Sequence, residues 1–334
     1  MLARVAENLY WLGRYIERAE NQARLIDVER QTGTVRAYGG GDPWEFVLDT
    51  LGAESAFRTA RETDPGLTGE QYLVYSAQSP FSIRTSVTSA RTLAMELREH
   101  SSREVFEALN RLFHSVNAAA NGATDLGSML QQIRNSVATV FGLFENTVLH
   151  SEGVHWFRFG HLLERADMTS RIVDAKYFIN LPSTSEVGGP VDRHQWRGVL
   201  RSTSALEAYH KTFLGSIRVD RVIDLLFLNP VFPRSLLYCI NSMRDEFALA
   251  TVKTPPAWTL RGARELVVTQ LEFQATTGRQ IVAQGLHEFI DSFQETLIRI
   301  DRGLTDNLFR AVETGDAAGD PATPLVKTSS LQAN

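Results

Sequence analysis

The 334-residue sequence contains one cysteine, Cys239, which excludes an internal disulfide framework and fits a reducing compartment. Lysine is nearly missing: Lys176, Lys211, Lys253 and Lys327 are the only ones among 34 basic residues. With 39 acidic residues the net charge is −5, so there is no basic footprint for a nucleic-acid partner. Long apolar runs are absent too. Arg4, Glu7 and Arg14 interrupt the opening segment, which argues against a signal peptide. No uninterrupted run approaches the ~20 apolar residues of a membrane span. The expected location is the cytoplasm, with no membrane partner. A Walker loop, G-x-S-x-G, H-E-x-x-H and G-x-G-x-x-G are all lacking, as is the paired Asp-rich motif that helical prenyl-transferring enzymes use for magnesium. "YGGGDP" (38–43) reads as a turn.

What is present is a 43% hydrophobic chain, long enough for a substantial core, whose cations are almost all arginine. Arginine's planar fork suits carboxylates and phosphates. Apolar residues recur three and four apart in "REVFEALNRLFHSV", in "SMLQQIRNSVATVFGLFENTVL" and in the long stretch from Arg279. No segment alternates long enough to predict a strand. The fold class expected is all-α, a helical bundle with loops near 32–43, 63–69, 181–191 and 254–256.

The chain also repeats itself. "ERAENQARLID" (17–27) and "ERADMTSRIVD" (164–174) share five of eleven positions. "PWEFVLDTLGAESAF" (43–57) aligns with "QWRGVLRSTSALEAY" (195–209), and "YLVY" (72–75) with "LLFL" (225–228). "SPFSIRTSVTSAR" (79–91) aligns with "FPRSLLYCINSMR" (232–244), which pairs Ser82 with Ser235 and Arg91 with Arg244. Matched blocks in one order predict two tandem helical repeats, 1–152 and 153–313, related by a pseudo-twofold axis and packed as one globule. The polar tail 314–334 is expected to be disordered.

On a helix, Gly13, Glu17, Glu20, Asn21, Arg24 and Asp27 share one stripe, as do Gly160, Glu164, Asp167, Arg171 and Asp174. Glycine inside a helix costs ~1 kcal/mol relative to alanine, yet it stands beside the acids in both copies. Aromatic Tyr10 and Phe157 precede the two glycines by one turn. The stripes are therefore expected to approach each other away from water. Three readings follow: a solvated face, a structural charge network across the dyad, or a ligand site.

For the ligand site, Glu17 and Glu164 are the candidate acid/base residues. Tyr10, Arg14, Glu20, Arg24, His161, Asp167 and Arg171 are candidate contacts for an anionic or zwitterionic ligand. "PFSIR" and "FPRSL" look like helix starts with Pro80 and Pro233 in the first turn, and they add Ser82, Arg91, Arg234, Ser235 and Arg244. No metal site is expected. A di-iron bundle wants Glu-x-x-His pairs, and only the reversed His161-x-x-Glu164 is present, with Arg14 at the matching place of His161. Cys239, in an apolar run, reads as core.

"MLARVAENLYWLGRYIERAENQARLID" at the start closely resembles the opening of the bacterial alpha-E domain family, and "EGVHWFRFGHLLERAD" (152–167) and "FPRS" (232–235) resemble its later blocks. The resemblance runs from residue 1 to about 310. It departs at "SARTLAMELRE" (89–99), where Thr92 and Leu93 replace the acid and amide of an Arg-Glu-Asn-Ala-Arg pattern. It implies an all-helical fold and an ATP-grasp ligase-like partner of circularly permuted type, with a transglutaminase-like peptidase as a second partner. No cofactor is then expected on this chain, and ATP and magnesium belong to the partner. The function expected is an accessory or co-catalytic subunit in peptide- or amide-bond formation. A stand-alone enzyme using Glu17 and Glu164 and a purely structural helical scaffold are the alternatives.

Overall fold

The computed structural model describes residues 1–32, 44–122, 125–178, 188–252 and 256–309. Among them every regular element is helical and none is a strand. Two long helices, α1 (Ala3–Thr32) and α7 (Glu152–Phe178), lie side by side at the centre. Each opens a similar series. After α1 come α2 (Glu45–Thr50), α3 (Glu54–Thr63), a π-helical turn (Gln71–Tyr75), α4 (Ile83–Glu96), α5 (Arg103–Ala120) and α6 (Leu126–Thr147). After α7 come α8 (Pro190–Ser202), α9 (Leu206–Thr212), α10 (Val219–Ile223), a π-helical turn (Asp224–Leu228), α11 (Leu236–Ala250), α12 (Pro256–Gln274), α13 (Gly278–Gln284) and α14 (Leu286–Leu304).

Local chemistry sets most of these boundaries. Ser82, Ser102, Asp125 and Thr277 cap α4, α5, α6 and α13 by accepting from backbone N–H groups of the first turn. Proline opens α8 and α12, where its missing N–H leaves no bond unmade. Pro256 therefore starts a helix rather than belonging to a loop. Pro80 and Pro233, expected inside a first turn, instead precede the N-caps Ser82 and Ser235 by two residues. The α2–α3 and α8–α9 links reverse through residues in the left-handed region, Gly52 at φ 64° and Ser204 at φ 54°. "YGGGDP" and the tail from 314 lie outside the described residues.

α4 and α6 flank α1, α11 and α14 flank α7, and one cluster of buried apolar side chains runs through both halves. Trp196 is buried within α8, whereas Trp44 sits just ahead of α2, is only half-buried and packs over Gly69. Trp196→Ala is expected to cost about 3–5 kcal/mol, the range for a buried aromatic truncated to alanine. Trp44→Ala should cost clearly less. Urea denaturation of the two variants checks both values, and equal losses would contradict the difference in burial.

The central pair is unusual in what it buries. Glu17, Glu20, Asn21, Gln22, Asp27 and Glu29 of α1, and Glu164, Thr169, Ser170 and Lys176 of α7, are all buried. Buried charge is costly unless it is paired, so their partners define the next question.

Candidate functional site

α1 and α7 cross at their glycines. A Cβ on Gly13 would lie 2.1 Å from the carbonyl oxygen of Phe157, and one on Gly160 would lie 2.1 Å from that of Tyr10. Only glycine permits this backbone approach. One turn further along, each helix's glutamate meets the arginine that follows the other's. Glu17 accepts from Arg165 Nε at 2.8 Å and Nη2 at 3.1 Å. Glu164 accepts from Arg18 Nε at 2.5 Å and Nη2 at 2.9 Å. These are two forked, charge-assisted pairs of the stronger kind, and they run in opposite directions between the helices.

A second group approaches each carboxylate. Arg14 Nε donates to Glu164 Oε2 at 2.8 Å. At the matching position of α7, His161 Nδ1 lies 2.9 Å from Glu17 Oε2, but off the line a hydrogen bond requires. Arg14 also donates to Asp301 of α14 at 2.9 Å and to the Tyr10 hydroxyl, which in turn donates to Asp301.

Burial opposes ionisation of Glu164, but the adjoining Arg18 and Arg14 outweigh it and hold the carboxyl down at about 2. For Glu17, burial is likewise overcome by the charges of Arg165 and Arg234, which keep it well below the usual carboxylate range. Burial and the Arg165 charge push His161 down despite Glu17, so its ring is neutral at neutral pH. Burial pushes the Cys239 thiol up to about 12, in keeping with its place in the core.

These directions set a pH dependence. Glu164 stabilises the fold fully above its ordinary value of 4.5, and that contribution is lost as pH falls from there towards about 2. Its share is on the order of 3 kcal/mol. Neutral His161 adds a loss that begins below its ordinary 6.5. Unfolding free energy should therefore drop between pH 6 and pH 2.5, and Glu164→Gln should flatten the lower part of the curve. An unchanged slope in that variant would sink the assignment.

The structure gathers part of the predicted set. Tyr10, Arg14 and Glu164 form one network with Arg18 and Asp301. Glu17, Glu20, Arg24, His161 and Arg234 form a second with Arg165, in which Arg234 donates to Glu20 and to Asn21 at 2.6 Å each. Asp167 and Arg171 pair with each other at 2.9 Å on a wetter part of the stripe. Four residues stand apart. Ser82 and Ser235 are buried where they begin α4 and α11, with their hydroxyls on the carbonyls of Ser76 and Phe227. Arg91 donates to Asn110 and lies over the Phe113 ring. Arg244 bonds Asp245 and Gln270. Their shared alignment reflects helix starts and packing rather than a common pocket.

Glu17 and Glu164 are each held ionised by their own arginines, which lowers their basicity, whereas acid/base catalysis is most efficient with a group that titrates near the operating pH. The sequence reading missed Arg18, Arg165, Arg134 and Asp301. The two arginines lie one residue, about 100°, off the acid stripe, so a single-helix projection discarded them. Their repetition directly after each glutamate was the available signal. A three-residue group with ligand-like spacing, Asp174, His287 and Asp291, lies between α7 and α14. His287 presents Nδ1 to Asp174 at 2.8 Å and Nε2 to Asp291 at 3.3 Å, so both ring nitrogens already face carboxylates.

A helical domain whose central helices are clasped by paired Glu-Arg dipeptides is the class this geometry defines. The chain belongs to the Alpha-E family, described as a predicted alpha-helical domain with a conserved ER motif, which matches residues 1–309. It is 25% identical over 265 residues to uncharacterised proteins of Mycobacterium tuberculosis (strains H37Rv and CDC 1551) and Mycobacterium bovis. The match covers 73% of this chain and 29% of each relative, so the chain corresponds to less than a third of their length. No solved structure matches it. Among the described residues, no helix is long and apolar enough to cross a membrane.

Proposed function

We propose that this chain is an accessory helical subunit that docks onto an ATP-grasp ligase-like partner in a peptide- or amide-bond-forming system, in the cytoplasm. The observation that carries the non-catalytic part is the double clasp: both Glu-Arg pairs are consumed in holding α1 to α7, which leaves neither glutamate free for proton transfer. ATP and magnesium then belong to the partner, and a transglutaminase-like peptidase is a second candidate partner. That the matched segment makes up only 29% of each relative supports a module working beside further catalytic parts. The similar order of elements after α1 and α7 supports reading the halves as tandem copies. Superposing 1–147 on 152–304 should then place Glu17 on Glu164 and Ser82 on Ser235.

The test mixes the purified chain with the ATP-grasp protein and measures complex formation by size exclusion and ATP turnover. A complex and a changed turnover are expected. Glu17→Gln and Glu164→Gln should lose about 1.5–3 kcal/mol of stability through weakened charge-assisted bonds. Turnover should fall only as far as stability does. Absence of both complex and effect would overturn the docking reading. A fully stable Gln variant without function would restore the stand-alone enzyme.

A further inference from the structure

We propose that Arg24, Arg134 and Arg234 form a binding site for a phosphate-class oxyanion on the stretch of α1 beyond the clasp. The site stands independently of the docking reading above. Three elements converge there. Arg24 lies on α1 between Glu20 and Asp27, one helical turn from each. Arg234, from the turn before α11, anchors on Glu20 and Asn21, and Arg134, from α6, anchors on Asp27 at 3.0 Å.

Two observations show that this cluster is incomplete. Arg24 Nε, Arg134 Nε and Asn21 Nδ2 are buried without a hydrogen-bond partner among the described residues. Asn21 is only 2% exposed, and its Oδ1 accepts from Arg234, which sets its side chain beside that arginine. All three orphan atoms are donors, and what they lack is an acceptor.

The charge balance has the same sign. Arg24 and Arg234 share Glu20, and Arg30 and Arg134 share Asp27, which puts four guanidinium groups on two carboxylates. Arg234 also approaches Glu17 at 3.4 Å, but that carboxylate is already forked to Arg165. Burial, joined by the Arg234 and Arg134 charges, pushes the Arg24 guanidinium down against the pull of Glu20. A tetrahedral dianion supplies both missing acceptors and missing charge, and guanidinium forks match its oxygens.

Among the described residues, the corresponding stretch of α7 has no such surplus. There Arg171 is joined by Asp174, His287 and Asp291, and burial together with the Glu54, Asp174 and Glu45 charges pushes neighbouring Asp49 up. Among the described residues, the surplus therefore lies on the α1 side.

The test titrates the full chain with inorganic phosphate by calorimetry, at ionic strength held constant with chloride. Saturable binding of one phosphate is expected, weakened about tenfold or more in Arg134→Gln and Arg24→Gln by loss of a charge-assisted fork. On the wild-type chain, the ¹⁵Nε–¹H resonances of Arg24 and Arg134 should shift with phosphate and saturate at the same concentration, a readout that survives if a variant fails to fold. Absence of saturable binding overturns the site. Unchanged affinity in both folded variants removes it from these arginines, and acetate binding as tightly as phosphate overturns the ligand class.

Discussion

Glu164→Ala is expected to lose about 3–5 kcal/mol of stability, enough to unfold much of the population at physiological temperature. The glutamate itself contributes little by burial. The loss arises because Arg14 and Arg18, which share Glu164, would keep their charge in a region where water does not replace the carboxylate. Arg14 retains Asp301, so Arg18 is the group left most exposed to the loss. Glu17→Ala should behave similarly by stranding Arg165, with Arg234 still held by Glu20. The double variant Glu164→Ala/Arg18→Ala should recover part of the loss, since it removes the orphaned charge together with its partner. Urea unfolding of the four-member cycle measures this. A double variant as unstable as the sum of the singles would show that the two residues do not interact.

The second large effect is steric. Gly13→Ala gains up to ~1 kcal/mol from helix propensity and still should destabilise the protein strongly. Its new methyl would sit 2.1 Å from the Phe157 carbonyl oxygen, which is backbone and cannot rotate away. The helices must separate, which pulls both Glu-Arg forks beyond bonding distance. A net loss of about 3 kcal/mol or more is expected, at or above the upper end of ordinary overpacking because packing and ion pairs fail together. Gly160→Ala meets the Tyr10 carbonyl at the same 2.1 Å and should match it. Gly142→Ala, with nothing within 4 Å of the added atom, is the control and should be neutral or slightly stabilising. Thermal melts of the three variants suffice. A Gly13→Ala protein as stable as the control would mean that the crossing is looser than described.

The helical character of the chain was legible in its sequence because it rests on local and periodic information. Three- and four-residue spacing of apolar side chains and caps such as Ser102 and Asp125 act within one or two turns. Repeated glycines beside repeated acids also pointed to close approach, since a costly residue kept twice in a helix needs a partner surface. What the sequence left undetermined was who pairs with whom. Arg18 and Arg165 look like solvent-facing residues on their own helices and become the central donors only when a second helix supplies the opposite carboxylate. Asp301, some 290 positions from Tyr10 and Arg14, joins them only through the placement of α14 against α1 and α7. Ser82, Arg91, Ser235 and Arg244 matched as well in alignment as the clasp residues did, and the fold sends them elsewhere. Periodicity reports which face of a helix is buried, whereas the docking of one helix on another fixes which charges meet. That docking is set at Gly13 and Gly160 by the contact of two backbones, a property of the folded pair that neither helix carries alone.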